Sequence, residues 1–180
     1  DRLREIVKRI RDILKEHEDR IRENSKRARD ILREHKRKIE EVLRRIEKLV
    51  EDLERLKRRG ELDEETAKKV KEDIRRLVRT VEEHSRRVIE ELDRSNDELR
   101  KHSEDVKREI EKLVEDVERE GVEGEEDLRR AAEEVKKKLD ELNEENERSS
   151  EDVKRTLKKL NDELREKVRR VMERIDEAVR

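Results

Sequence analysis

Residues 11–21 read RDILKEHEDRI, and residues 29–39 read RDILREHKRKI. The second stretch repeats the first after 18 positions, so His17 and His35 stand 18 apart. The same interval separates His84 from His102 and Asn143 from Asn161. It also steps through Val70, Val88 and Val106, and through Val135, Val153 and Val171. At 3.6 residues per turn, 18 residues make about five turns, and equivalent side chains return to one face. A heptad holds its face only by supercoiling, because 3.5 residues do not match the turn. The buried stripe drifts from positions 3, 10, 17, 24 and 31 to positions 25, 32, 39, 46 and 53. That drift predicts helices that are nearly straight.

Apolar residues follow the same period. Leu3, Val7, Ile10, Leu14, Ile21, Ala28 and Ile31 form the early stripe, with Ile6 and Ile13 beside it. Leu32, Ile39, Val42, Ile46, Leu49, Leu53 and Leu56 continue it. Spacings of three and four define a helix with one buried face. Two places interrupt the pattern. One is Arg59-Gly60-Glu61-Leu62-Asp63-Glu64-Glu65, and the other is Glu120-Gly121-Val122-Glu123-Gly124-Glu125-Glu126-Asp127. All three glycines lie there. Each break offers a left-handed cap for one helix and acidic residues for the positive end of the next. Asp63 is the candidate N-cap, preceded by Leu62 as a staple. The expectation is an all-α, up-down-up, antiparallel three-helix bundle in a single domain, with helices at about 2–58, 64–119 and 125–179.

Composition narrows function by exclusion. Of 180 residues, 60% are charged and 28% apolar; Phe, Trp, Tyr, Pro and Cys are absent, and the net charge is −2. Lack of Cys removes disulfides, thiolate zinc sites and iron–sulfur clusters. No apolar run approaches the roughly 20 residues of a membrane span, and no signal-peptide core is present. Charges of both signs interleave, with Glu5–Arg9, Glu40–Arg44, Glu41–Arg45, Glu51–Arg55, Glu54–Arg58, Glu104–Arg108 and Glu133–Lys137 spaced i,i+4. Such pairs support an exposed helix face. No basic stripe forms for phosphate and no aromatic stacks on a base, so nucleic acid is not an expected partner.

The informative residues are polar ones at buried-type positions. They are His17, Asn24, Ser25 and His35; His84, Ser85, Ser95, Asn96, His102 and Ser103; and Asn143, Asn146, Ser149, Ser150, Thr156 and Asn161. Laying the helices side by side from the loops places most of them at three levels. His17, His102, Ser103 and Asn143 share one. Asn24, Ser25, Ser95, Asn96, Asn146, Ser149 and Ser150 share the next. His35, His84, Ser85 and Asn161 share the third. A buried polar group without a partner costs about 1–3 kcal/mol, so gathering them lets them bond across helices and constrains register.

Catalysis does not follow from these residues. Ser85 follows His84 and Ser103 follows His102. Sequence neighbours on a helix point about 100° apart, and mid-helix N–H groups are already bonded, which leaves no oxyanion hole. No HExxH, His-x3-His or Glu-x-x-His spacing occurs, so no metal site and no cofactor are expected. The histidines serve as polar members of the layers. Buried and neutral, they also provide a route to pH sensitivity, with stability falling below their ordinary pKa of about 6.5.

The chain resembles de novo designed parametric helical bundles with buried hydrogen-bond networks. The resemblance spans the whole chain. It rests on the 18-residue repeat, the layered His, Asn and Ser, the Glu/Lys/Arg surface and the turn RRGELDEETAKKV at 58–70. It implies a soluble scaffold, with no required partner, whose polar layers specify helix pairing. Members of that family also serve as components of designed oligomers and, with histidine networks, as pH-responsive assemblies. The expectation here is a monomer, with a role as one component of a helical assembly as the alternative.

Overall fold

A computed structural model describes residues 2–180. It contains α1 (Arg2–Arg58), α2 (Glu64–Glu120) and α3 (Glu125–Ala178), and no strand among the described residues. The helices pack as an antiparallel three-helix bundle. Long helices form because nothing inside them breaks the backbone ladder: Pro is absent and every Gly lies in a loop. Burial then selects the face. In α1 it falls on Ile10, Ala28 and Ile46, and on His17, His35 and Leu53. In α2 it falls on Ile74, Leu92 and Ile110, and in α3 on Leu139, Leu157 and Ile175. Members of each set are 18 residues apart.

Two compact units divide the chain, and each takes a part of every helix. The first joins the start of α1, through Ala28, with Glu91–Asp152. Its core is Ile6, Ile10 and Ile13 against Val106, Ile110, Val114 and Val117 and against Leu128, Ala132, Val135 and Leu139. Leu3, Val7 and Leu14 are only partly buried. The centre of the stripe therefore runs through Ile6, Ile10, Ile13 and His17, not through the 3, 7, 10, 14 line that the apolar spacing suggested. The second unit joins Arg29–Glu90 with Val153–Arg180. Its core is Ile39, Ile46, Val50 and Leu53 against Ala67, Ile74 and Val81 and against Leu164, Val168 and Ile175. Each buried Ile, Leu or Val contributes about 1.5–3 kcal/mol relative to an exposed one. No large hydrophobic is exposed among the described residues.

The first loop closes α1 within the second unit. Gly60 has φ of 68°, its N–H donates to the Lys57 carbonyl at 3.0 Å, and the Glu61 N–H donates to the Leu56 carbonyl at 2.9 Å. These two bonds satisfy carbonyls at the helix end that have no partner within the helix. Asp63 then accepts from the Thr66 N–H at 2.8 Å and caps α2. Hydrogen bonds from Thr66, the side chain first and the N–H second, hold its carboxyl below the ordinary value. A Cβ at Gly60 meets nothing within 4 Å, so the cost of Gly60→Ala is purely the left-handed backbone, about 1–2 kcal/mol. The melting temperature should fall by roughly 2–8 °C, and calorimetry reads it directly.

Several ion pairs join neighbouring helices across the surface. In the first unit Arg9 pairs with Glu109 at 2.5 Å and Arg100 with Glu147 at 2.6 Å. In the second, Arg165 bonds both Glu82 carboxylate oxygens, at 2.5 and 2.8 Å. Arg9 thus turns to a neighbouring helix rather than to Glu5, its i,i+4 partner in the sequence. Exposed pairs of this kind are worth about 0–1 kcal/mol each.

Candidate functional site: three buried polar layers

The first unit carries a triangle of amides, one from each helix. Asn24 of α1 donates to Asn96 of α2 at 3.2 Å and to Asn146 of α3 at 3.0 Å. Asn146 donates to Asn96 at 2.9 Å and closes the triangle. Ser95 donates to the Asn24 carbonyl at 2.5 Å, and Ser150 donates to the Asn96 carbonyl at 3.2 Å. Asn24, Asn96, Asn146 and Ser150 are buried. Ser25 and Ser149 are half-buried and supply none of these bonds.

The same unit carries a histidine layer. His17 is fully buried, and its Nε2 lies 3.0 Å from the Asn143 amide oxygen. A carbonyl oxygen only accepts, so Nε2 carries the proton and donates. His102 stacks on His17 with ring centroids 5.5 Å apart. Ser103 is buried, and its hydroxyl has no protein partner. Burial pushes the His17 imidazole below its ordinary value of 6.5; the bond to Asn143 opposes this, and the charges of His102, Arg20 and Lys107 reinforce it.

The second unit holds a layer of related composition. His35 is fully buried, and its Nε2 donates to the Asn161 oxygen at 2.8 Å. Asn161 donates onward to Ser85 at 2.9 Å. His84 stacks on His35 with centroids 6.2 Å apart. Lys38 donates to the His84 Nδ1 at 3.2 Å. Burial lowers the pKa of His35, against the bond to Asn161 and with the charge of Lys38. Burial also lowers that of His84, with Lys38, His35 and Arg87 acting in the same sense and Glu34 against. Thr156 is half-buried in this unit.

The two histidine layers differ in bonding. Ser85 accepts from Asn161, whereas Ser103, 18 residues further along α2, bonds to nothing in the protein. Lys38 is a member that composition did not single out. Its signal is position: it follows His35 by three residues, on the adjoining edge of the same face. Chemically the layers offer hydrogen bonds and proton uptake. No group of three or more His, Asp or Glu side chains able to hold a metal occurs among the described residues. No helix among them is long and apolar enough to cross a membrane.

A family model covers residues 3–179, nearly the length over which the helices and polar layers run. The chain belongs to the DUF4455 family, described as a domain of unknown function. No curated protein matches this DUF4455 chain. Among solved structures, it is similar to a "Computationally designed three helix bundle", at 18% identity and a TM-score of 0.89. That match covers 98% of this chain and 90% of the other. At that identity the likeness establishes the fold of the DUF4455 chain.

Proposed function

We propose that the chain is a designed structural scaffold, without enzymatic activity, in which buried polar layers specify how three helices pair and make stability pH-sensitive. It works as a monomer and requires no cofactor, metal or partner. The Asn24–Asn96–Asn146 triangle carries this reading. One amide from each helix meets two others, so sliding any helix along its axis breaks bonds on both partners. Apolar side chains tolerate such slips because dispersion has no direction, whereas hydrogen bonds weaken steeply with distance and angle. The absence of exposed large hydrophobics among the described residues supports the monomer.

Replacing all three amides (Asn24→Leu, Asn96→Leu, Asn146→Leu) tests the reading. A buried polar cluster is often neutral or destabilising relative to apolar packing of similar volume. The triple variant should therefore stay helical and melt at or above the parent temperature while losing a unique register. Amide NMR would show doubled or broadened peaks, and light scattering would show species above the 22.1 kDa monomer. A single sharp peak set from a monomer would overturn the role of the layers in pairing.

A further inference from the structure

Four buried side-chain atoms of the described residues have no protein hydrogen-bond partner: His17 Nδ1, Ser103 Oγ, His35 Nδ1 and His84 Nε2. They fall two to each histidine layer. Proton accounting gives each atom a role. His35 donates through Nε2 to the Asn161 oxygen, so in the neutral ring its Nδ1 is a bare lone pair. His84 accepts at Nδ1 from Lys38, an ammonium that only donates, so its Nε2 carries the proton. The second unit thus buries one unmatched acceptor and one unmatched donor in a single layer. His17 donates through Nε2 to Asn143, which leaves Nδ1 as another lone pair. The Ser103 hydroxyl, next in sequence to the stacked His102, is the other unmatched atom of that unit and is able to donate. The first unit repeats the arrangement with different residues.

Acceptor and donor do not meet directly. Imidazole N–H bonds and lone pairs lie in the ring plane. The His35 and His84 rings lie 13° from parallel with centroids 6.2 Å apart, and neither unmatched nitrogen has a partner. We propose that each histidine layer is a binding site for one buried water molecule. In the second unit the water accepts from His84 Nε2–H and donates to His35 Nδ1; in the first it accepts from the Ser103 hydroxyl and donates to His17 Nδ1. A neutral molecule with both functions in one atom's width is required, and water fits where two or more polar partners converge. The bridge completes a chain of hydrogen bonds from Lys38 through His84 and His35 to Asn161 and Ser85.

NMR of the full chain near pH 8 tests this. Long-range proton–nitrogen correlation should give a pyridine-like Nδ1 and a pyrrole-like Nε2 for His17, His35 and His84. Water-selective Overhauser experiments should show long-lived water at the His35 and His17 rings. Ser103→Ala should abolish the water signal at His17 while that at His35 persists, which also shows that the variant is folded. A pyrrole-like Nδ1 on His35 or His17 would overturn the proposal. So would a scalar coupling across a direct bond from His84 Nε2 to His35 Nδ1, or water signals unchanged by Ser103→Ala.

Discussion

Lowering the pH from about 7.5 to about 5 is expected to reduce the melting temperature. The sign follows from which form the folded state prefers. Burial lowers the pKa of His17, His35 and His84 below the ordinary 6.5. The unfolded chain therefore binds protons first as pH falls. Stability is complete above about 6.5, declines below it, and levels off beneath the folded-state values. The surroundings reinforce this. Lys107 and Arg20 face His17, with Lys107 paired to Asp140 and Glu104. Lys38 acts on both His35 and His84. Protonating His84 turns its Nδ1 from acceptor to donor against the Lys38 ammonium, so that hydrogen bond is lost as well.

Carboxylates contribute in a different window. Glu82 and Glu111 are held below their ordinary 4.5, chiefly by hydrogen bonds from Arg165 and Lys136. Their stabilisation is lost only as pH falls below about 4.5. Between pH 7.5 and 5 the slope belongs to the histidines. A variant with His17→Gln, His35→Gln and His84→Gln should show a much flatter profile over that range in calorimetric melts. An unchanged parent melting temperature between those pH values would remove the pH-sensitive part of the proposed function.

Asn24→Ala should be the most damaging single substitution in the polar layers. Among the described residues, it deletes the donor to the Asn146 oxygen and the acceptor for the Ser95 hydroxyl. The Asn96 oxygen keeps its bonds from Asn146 and Ser150. Two newly unpaired groups at about 1–3 kcal/mol each give a loss of about 4 kcal/mol. The melting temperature should drop by roughly 8–16 °C. Ser25→Ala, next in sequence, removes a half-buried hydroxyl that takes no part in the triangle and should stay within about 0.5 kcal/mol of the parent. Chemical denaturation of the two variants side by side separates loss of the triangle from generic sensitivity at that level. Equal effects would show that the triangle is not the source.

The contrast between neighbours Asn24 and Ser25 marks where sequence reading stops. Both are polar and lie near the buried face, and periodicity assigns them to one level. Only the placement of three backbones decides that one becomes the hub and the other stands at the edge. Ser85 and Ser103 make the same point. They follow His84 and His102 in matching contexts, 18 residues apart. Yet Ser85 is bonded by Asn161 and Ser103 has no protein partner.

Helix number, loop positions and the presence of one buried stripe per helix are properties of the sequence by itself. Glycine confined to two places and an uninterrupted 3–4 apolar spacing leave the backbone few alternatives. Periodicity sets the angle at which a side chain leaves the helix, and loop position sets its height. Neither sets distance at the scale of a hydrogen bond, where a few tenths of an ångström decide whether a bond exists. The tertiary structure decided that the stripe centres on Ile6, Ile10, Ile13 and His17. It also decided that Lys38 joins a histidine layer, and that the two histidine layers bond differently. Those outcomes depend on rotamers and on the spacing of facing helices, which three backbones set jointly and no single segment encodes.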